Sequence, residues 1–594
     1  MPEIMHPKHW YIIFVVVAIY SATSVSASSP DIFPIRRGLT LPNLTLEHID
    51  PTLPPVLPTQ APKCSVIALQ QDFADTVGAP PASANYTQPP DCPAPWTRVV
   101  LELSVSASDL QKDRIAAVWV DGVEVLRTTT PLPMAPGAFW KVTKDITRYT
   151  AAIRRLSENN GTVSMMLENS NTVLPGVYSA NVTLHFYRGA IATAAKPSAA
   201  TGHATIQELY KEPADLIIPV TSNNGFYGSG FWSRIESDSQ IATSLIKIPQ
   251  NTYRAVLEIF VSYHADDEFW FGNPLRSSYL EGAANLSTPR SNGGFRQVYA
   301  TIDDKFVGGH IPFMVLYPGS INPYFWSPVA AIGAFNMPSY DLDMTPFLGM
   351  LLDGQPHKFG LGVHDSQRYW LVGANLHIWV DRWSDATQAG LINYNAPPPK
   401  MNRNAEWRNQ DGQSEIDAEG LVRFIGWVSS SKGNLTTVVQ QKIKFKSQIE
   451  VQNRGAVKQI EVNNKQRMMV ALMKGNQALS RVQLMMDAPM QIQTSTVNAV
   501  SGAVFQKTRL YHQLVEMVNL SEGQAVSIAT LTDRQDAEGS ALMHDGVPVW
   551  GGGATRSAYR FKDDSTCYLR TVNTAGGIVR LDTTTASCVS VADQ

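Results

Sequence analysis

Short runs in which apolar and polar residues alternate, rich in Val, Ile, Thr, Tyr and Phe and bounded by clusters of Gly, Pro, Asn and Asp, recur along most of the chain. A period of two presents one apolar face to a core, which is the pattern of a half-buried strand, and few windows carry the 3.6-residue period of an amphipathic helix. Residues 99–106, 116–126, 163–168, 181–187, 255–262, 359–363 and 371–380 are predicted strands. The chain reads as all-β.

The pattern also repeats. Arg98-Val-Val-Leu-Glu-Leu-Ser-Val-Ser106 is echoed by Arg254-Ala-Val-Leu-Glu-Ile-Phe-Val-Ser262, and Asp145-Ile-Thr147 by Asp343-Met-Thr345. A later pair, Ala180-Asn-Val-Thr-Leu-His185 and Ala374-Asn-Leu-His377, completes the correspondence. Internal self-similarity fixes architecture before any single element does, and it predicts two similar β-sandwiches in tandem, residues 65–190 and 216–385. Residues 191–215, rich in Ala, Thr and Lys, read as a linker open to proteolytic processing. Pro397-Pro-Pro399 marks another boundary, and 400–594 form a further β-rich region without the repeat.

The first residues change the picture of where the protein goes. Lys8 and His9 precede an apolar run from Trp10 to Tyr20 and then Val25-Ser26-Ala27, the layout of a secretory signal over residues 1–27. A membrane anchor is the alternative, but a spanning helix needs about 20 apolar residues. A Pro-rich arm, 28–64, follows. Four cysteines form two sequence-local pairs, Cys64–Cys92 and Cys567–Cys588, expected as disulfides in an exported chain. Asn43, Asn85, Asn160, Asn181, Asn285, Asn434 and Asn519 each begin a glycosylation sequon.

The 594 residues are enough for roughly three units at about 100–200 residues each. With 48 basic and 51 acidic residues and a net charge of −3, there is no field to neutralise a phosphate backbone, so nucleic acid is an excluded partner. After signal cleavage no membrane association is expected.

Hydrolase signatures such as Gly-X-Ser-X-Gly, Cys-X-X-Cys and His-Glu-X-X-His do not occur. Carboxylates among aromatics do, a combination suited to binding sugars and orienting water. Asp113-Arg114 lies between two predicted strands, where a guanidinium keeps a carboxylate ionised. Asp113 falls fifteen residues after Arg98 and Glu268 fourteen after Arg254, so the repeat places two acids at nearly equivalent positions, able to converge on one cleft. Glu168 ends a third strand. His264-Ala-Asp-Asp-Glu268 fits no standard metal loop, and no metal ligands are assigned. Asn322-Pro-Tyr-Phe-Trp326 and Asn336-Met-Pro-Ser-Tyr-Asp341 add amides and aromatics in loop-like surroundings.

At these residues the chain resembles the plant-type peptide:N-glycanases of the amidase A class. The resemblance runs through Leu69-Gln-Gln-Asp-Phe-Ala-Asp75, Asp113-Arg-Ile, Gly122-Val-Glu-Val-Leu-Arg127, Trp140-Lys-Val-Thr-Lys-Asp-Ile-Thr-Arg-Tyr149, Asp267-Glu-Phe-Trp270 and Ile321-Asn-Pro-Tyr-Phe-Trp326. A more distant similarity to the bacterial peptide:N-glycanases implies two tandem eight-stranded jelly rolls with the active cleft at their interface. It implies Asp113 as the primary catalytic acid/base, Glu268 as the acid that positions water or sugar, and Glu168 as the contact to the first N-acetylglucosamine. Leu167-Glu168-Asn169-Ser170 departs from that pattern, with Ser170 where a tryptophan is usual. Arg114, Arg127, Trp140, His264, Trp270, Asn322, Trp326 and Asn336 are the expected substrate contacts.

The reaction so implied is hydrolysis of the bond between asparagine and the N-linked glycan, without a cofactor. N-linked glycopeptides and glycoproteins are the expected partners, with self-association of processed chains, in the secretory pathway, cell wall, vacuole or medium. The alternatives are a glycan-binding double jelly roll without turnover and a glycosidase.

Overall fold

The computed structural model describes residues 45–56, 60–158, 161–188, 213–220, 231–280, 290–408, 410–498, 503–544 and 547–586. The expected signal, nearly all of the linker, Cys588 and the sequons at Asn43, Asn160 and Asn285 lie outside these residues. The remaining structure is all-β.

The first unit contains β1 (Glu47–His48), β2 (Cys64–Phe73), β3 (Ala82–Asn85), β4 (Arg98–Ala107), β5 (Ile115–Val120), β6 (Val123–Thr129), β7 (Phe139–Asp145), β8 (Thr162–Leu167) and β9 (Tyr178–Tyr187). They form one sheet in the order β1-β7-β4-β9-β2 and another in the order β3-β8-β5-β6. The second unit contains β10 (Leu216–Pro219), β11 (Ser233–Ile235), β12 (Ala242–Ile246), β13 (Thr252–Tyr263), β14 (Gln297–Ile302), β15 (Lys305–His310), β16 (Ser339–Asp343), β17 (His357–His364) and β18 (Trp370–Val380). Its sheets run β10-β18-β13-β16, with β11 also on β18, and β12-β17-β14-β15. Leaving β1 and β11 aside, the two units have the same strand order.

The sequence repeat has a physical content. Arg98 at the start of β4 reaches Asp145 at the end of β7 at 3.3 Å, and Arg254 in β13 reaches Asp343 at the end of β16 at 3.6 Å. Each aspartate then accepts from the backbone N–H of the threonine two residues on, Thr147 at 2.9 Å and Thr345 at 3.0 Å, closing the turn that leaves the strand. The repeated Glu and His also meet, Glu102 with His185 and Glu258 with His377.

One predicted strand proves to be two. Residues 116–126 fold as the hairpin β5–β6, turned at Asp121 and Gly122, whose φ values of 50° and 80° suit a two-residue turn. Every residue of β6 is buried, because one face lies in the first unit's core and the other abuts β18 of the second unit. Strands buried on both faces lose their alternation, and so the Asp-Gly turn signal was overridden by an apolar run.

The C-terminal region is a single sheet of eleven strands: β19 (Gln388–Asn395), β20 (Lys400–Arg408), β21 (Asp411–Ser430), β22 (Gly433–Gln452), β23 (Val457–Lys474), β24 (Gln477–Asn498), β25 (Ala503–Glu522), β26 (Ala525–His544), β27 (Val547–Lys562), β28 (Cys567–Ala575) and β29 (Ile578–Thr585). From β21 onward each strand pairs antiparallel with the next. At about 3.3 Å per residue the 22 residues of β24 span roughly 70 Å. Along β22 Ile443, Phe445, Ile449 and Val451 are buried while Lys442, Lys444 and Lys446 face out. The inner face continues the core of the second unit.

This sheet backs the loops that carry the site. Its inward polar side chains donate to loop carbonyls: Ser447 Oγ to Phe271 O at 3.3 Å, Lys458 Nζ to Gly272 O at 3.2 Å, Thr555 Oγ1 to Phe325 O at 2.8 Å and Gln535 Nε2 to Ala330 O at 2.6 Å. The described part of the arm threads all three parts, pairing β1 with β7, Ile49 with Val329 and Thr45 with Gly577.

Cys64 and Cys92 form the expected disulfide, with Cα atoms 5.9 Å apart, and Cys567 is also disulfide-bonded. The first bridge closes 28 residues, and the chain-entropy account assigns such a loop about 3.5 kcal/mol. The double change Cys64→Ser, Cys92→Ser is therefore expected to lower the thermal midpoint clearly while leaving turnover at 25 °C within about twofold, as read by calorimetry beside a glycopeptide assay.

Candidate active site

Asp113 ends the segment that leads into β5. Its neighbour is pinned on both sides: the Arg114 N–H donates to Thr130 Oγ1 at 2.9 Å, and the Thr130 N–H to Arg114 O at 2.8 Å. From the second unit the Gly319 N–H donates to Asp113 Oδ2 at 3.0 Å. A Cβ on residue 319 would come within 2.5 Å of Asp113 Oδ1, so a larger residue there would displace the carboxylate.

The surroundings of Asp113 differ from the expected ones. Burial is the largest influence and raises its pKa, and the Gly319 N–H, Arg114 and Lys112 oppose it without cancelling it. Arg114 does not by itself keep this carboxylate in the ordinary range, because desolvation of the charged form outweighs a neighbouring cation.

Glu268 comes from the turn after β13. The backbone enters that turn through Ala265 with a φ of 52°, an uncommon conformation for a residue with a Cβ. Paired His264–Tyr369 amides and the Asp266 N–H to Arg368 O bond at 2.7 Å clamp it to the neighbouring loop. Asp267 beside it is fully buried and accepts from Arg296 at 2.6 and 2.8 Å, Trp370 Nε1 at 2.7 Å and the Gln367 N–H at 2.7 Å. Burial, with the Asp113 carboxylate adding to it and Arg290 opposing, pushes Glu268 up to about 7. Two carboxylates distant in sequence thus share one field across the interface of the units.

Glu168 follows β8 and is half-buried. Thr76 Oγ1 donates to Leu167 O at 2.7 Å, and Asn169 Nδ2 donates to Phe73 O and Gly176 O, both at 3.0 Å. These bonds fix the strand end. The Glu168 charge acts on Tyr369 of the second unit: burial raises the phenol first, and Glu168 adds to it.

At the turn that carries Glu268 begins a column of stacked rings. Tyr263 stacks on Tyr317 at 5.5 Å, Tyr317 on His264 at 5.7 Å and His264 on Tyr369 at 5.1 Å. Burial chiefly, with Arg127 and Arg234 adding, lowers His264 to about 3, so the imidazole is neutral in the working range. Ser262 Oγ lies 3.0 Å from its Nε2.

Several expected substrate contacts lie in the interior instead. Arg127, Trp140, Trp270, Asn322 and Trp326 are all 2 % exposed or less. Arg127 is held by both oxygens of Glu124 at 2.7 and 2.9 Å and donates to Leu371 O at 2.6 Å, which ties one unit to the other. Trp140 packs on Tyr178 and Phe335, and Trp270 on Tyr263 and Trp370. Trp326 Nε1 donates to Ser320 O at 3.2 Å, and Asn322 Oδ1 accepts from the Tyr324 N–H at 3.1 Å. Both hold the loop that carries Gly319. Asn336 lines a separate cavity of about 80 Å³ with Arg148, Glu258 and Asp341.

The residues that sequence reasoning missed are Tyr317, Gly319, Tyr369 and Arg290. Gly319 alone had a local signal, the Pro-Gly pair of a turn, and nothing local points to the others.

Two tandem all-β units carry Asp113, Glu168 and Glu268, and the sequence around them is matched by the Peptide N-acetyl-beta-D-glucosaminyl asparaginase amidase A family over residues 52–397. The chain belongs to that family. It is 33 % identical over 542 residues to Peptide-N4-(N-acetyl-beta-glucosaminyl)asparagine amidase A of Prunus dulcis, covering 89 % of this chain and 92 % of that protein. An alignment of that length extends into the C-terminal sheet, beyond the two units. Among solved structures, PNGase F, a glycosylasparaginase from Flavobacterium meningosepticum, is 13 % identical over 53 % of this chain and 96 % of that one, with a TM-score of 0.33. PNGF-II is 11 % identical over 57 % and 65 %, with a TM-score of 0.30.

Proposed function

We propose that this chain hydrolyses the β-aspartylglucosaminyl amide of N-linked glycopeptides and glycoproteins. The observation that supports the reading is that burial raises the pKa of both Asp113 and Glu268, the Asp113 charge adding to the rise at Glu268, within a chain of this amidase family. Water adds to the side-chain carbonyl carbon of asparagine and the carbon–nitrogen bond breaks. The peptide keeps an aspartate, and the glycan leaves as a glycosylamine that loses ammonia in water.

Amide nitrogen is a poor leaving group, so the reaction needs an activated water and a proton for the nitrogen. Asp113, once deprotonated, takes the proton of the water, with its orientation set by the Gly319 N–H. Glu268, still protonated near neutrality, is placed to supply a proton to the departing nitrogen. Arg114 polarises the carbonyl, and Glu168 contacts the first N-acetylglucosamine. No cofactor enters this scheme.

The strand order shared by the two units supports reading each as a jelly roll, with the domains lying near residues 65–190 and 216–385 and a β-rich domain after 400. The Cys64–Cys92 bridge supports a route through the oxidising secretory pathway. Exposed sequons at Asn85, Asn181 and Asn434 are open to glycosylation.

The pH profile follows from the two acids. Glu268 loses its proton as pH rises through about 7, so kcat/KM is expected to fall on the alkaline side. Asp113 gains one as pH falls through its raised value, giving an acid limb. The apparent values belong to the interacting pair. A profile flat between about pH 6 and 9 would contradict these assignments, and Glu268→Gln is expected to be slower and to lack the alkaline limb.

Mass spectrometry of a digested N-glycopeptide tests the reaction. A gain of about 1 Da at the former glycosylated asparagine is expected as the amide becomes a carboxylic acid. A retained N-acetylglucosamine would mean a glycosidase, and an unchanged glycopeptide a glycan-binding protein.

A further inference from the structure

Between the second unit and the C-terminal sheet, two walls are tied at their rims and stand apart in the middle. Val298, Ala300 and Ile302 of β14 turn into the core of their own unit, so with a period of two the positions between them face the other way, toward the C-terminal sheet. At the rims Gln441 Oε1 accepts from the Gly309 N–H at 3.3 Å, Tyr394 donates to Phe306 O at 3.0 Å, and Arg403 pairs with Asp365. Inside those ties lies a cavity of about 570 Å³. Protein interiors leave few voids larger than a water molecule, and this space falls within the range of small-ligand sites, about 300–1,000 Å³.

Glycines open it. Gly360 and Gly362 of β17 stand opposite Thr301 and Tyr299, and a Cβ at either position would run into those side chains. Tyr299 lies over Gly362 and stacks on His364 at 4.2 Å. Away from the rims the facing wall is apolar, built from Pro397-Pro-Pro399, Met401, Val422 and Ile443.

The polar groups on the first wall are unmet. Gln297, Tyr299 and Thr301 line the cavity and are 5, 7 and 6 % exposed, yet their side chains find no hydrogen-bond partner among the described residues. Buried polar groups are as a rule hydrogen-bonded, and these three stand two residues apart along one strand, spanning about 13 Å. Water would need polar partners on several sides, which the apolar wall does not provide. Asp365 and Asp304 are neutralised by Arg403 and Lys358, and burial lowers the pKa of His364, so the lining suits an uncharged ligand. A pyranose has hydroxyls around its whole rim and would press some of them against proline and methionine. A planar aromatic molecule with oxygens at its edge would not.

We propose that this cavity, separate from the Asp113 and Glu268 site, binds a neutral planar aromatic molecule of the hydroxylated flavone type, its oxygens on Gln297, Tyr299 and Thr301 and its rings against the apolar wall.

The test is calorimetric titration of the full chain with two probes, a flavone bearing one hydroxyl at each end and unsubstituted flavone, in mild acid where phenols are neutral. The dihydroxyflavone is expected to bind at least about tenfold tighter, the scale of two hydrogen bonds. Gln297→Leu with Thr301→Val removes polar groups at little change in volume and is expected to erase that difference. Val422→Trp fills the space from the facing wall and is expected to abolish both titrations. Circular dichroism serves as the folding control, and should Val422→Trp fail to fold, the double variant decides alone. Equal binding of the two probes, a difference that survives the double change, or no binding of either overturns the proposal. Tighter binding of methyl glucoside than of the dihydroxyflavone overturns it too, by making the cavity a carbohydrate site.

Discussion

Asp113→Asn is expected to lower turnover by at least about a hundredfold, the loss typical of removing a general base, while the protein stays folded. Asparagine has nearly the same shape, and its side-chain oxygen can still accept the Gly319 N–H that now binds Oδ2 at 3.0 Å. What disappears is the capacity to take a proton from water. Substrate affinity should change much less than turnover, because removal of an interaction that matters mainly in the transition state lowers kcat more than it raises KM. The change also relieves the repulsion that Asp113 exerts on Glu268, so any residual activity should have its alkaline limb at lower pH. Steady-state kinetics at several pH values, with circular dichroism as the folding control, reads both effects. A folded variant that keeps more than about a tenth of wild-type turnover would remove Asp113 from the base role and leave Glu268 to carry it.

The second large effect is expected far from any substrate. Arg148, on the turn after β7, reaches across the interface to Glu258 at 3.3 Å and to both oxygens of Asp341 at 3.1 Å. The side chains of the two acids are 1 % and 6 % exposed. Burial alone would raise Glu258, yet Arg148 and His377 bring it below the usual carboxylate range. Tyr149 and Ser339 hydroxyls donate to it at 2.7 Å, and Asn375 at 3.2 Å. Asp341 is raised by burial, with Glu258 adding, despite Arg148 and His377. Arg148→Met would leave two neighbouring buried acids without their shared cation, a loss of about 3–5 kcal/mol.

The sign with pH follows from Glu258. Its folded pKa lies below its unfolded one, so its contribution is present above the unfolded value and is lost as pH falls through the folded one. The variant should therefore lose most at neutral pH and approach wild type in acid. Half-lives of thermal inactivation at several pH values measure this, since unfolding of a chain this long is not two-state. Arg148→Met combined with Asp341→Leu should recover part of the loss. A single variant as durable as wild type would show that the cation is not what holds the units together.

Much of the architecture was legible because it depends on local alternation and on repetition. The echo of Arg98 to Ser106 in Arg254 to Ser262 located two units with the same strand order, and it did so through residues that make the same bonds in each: the Arg–Asp bridge, the Asp–Thr turn and the Glu–His pair. The alternation that marks Ile443, Phe445 and Ile449 as inward was present as well, but nothing in it told that β21 to β27 would make one continuous sheet. Sheet membership is set by pairing between strands, which periodicity within a strand does not encode.

The site divides in the same way. The choice of Asp113, Glu168 and Glu268 and the expectation that tandem units share a cleft came from residue type, repeat spacing and family resemblance, and the all-β class from the sequence alone. Where the aromatics lie came only from tertiary structure: Trp140, Trp270 and Trp326 went to the interior, while Tyr317 and Tyr369, which no motif marked, stack on either side of His264. Tertiary structure also reversed the expected influence on Asp113, because desolvation depends on what the other unit places over it rather than on the arginine beside it in sequence. Burial and pairing between residues that far apart arise only when the two units close on each other. The same closure turns Glu258, the repeat counterpart of the partly exposed Glu102, into the buried centre of the interface.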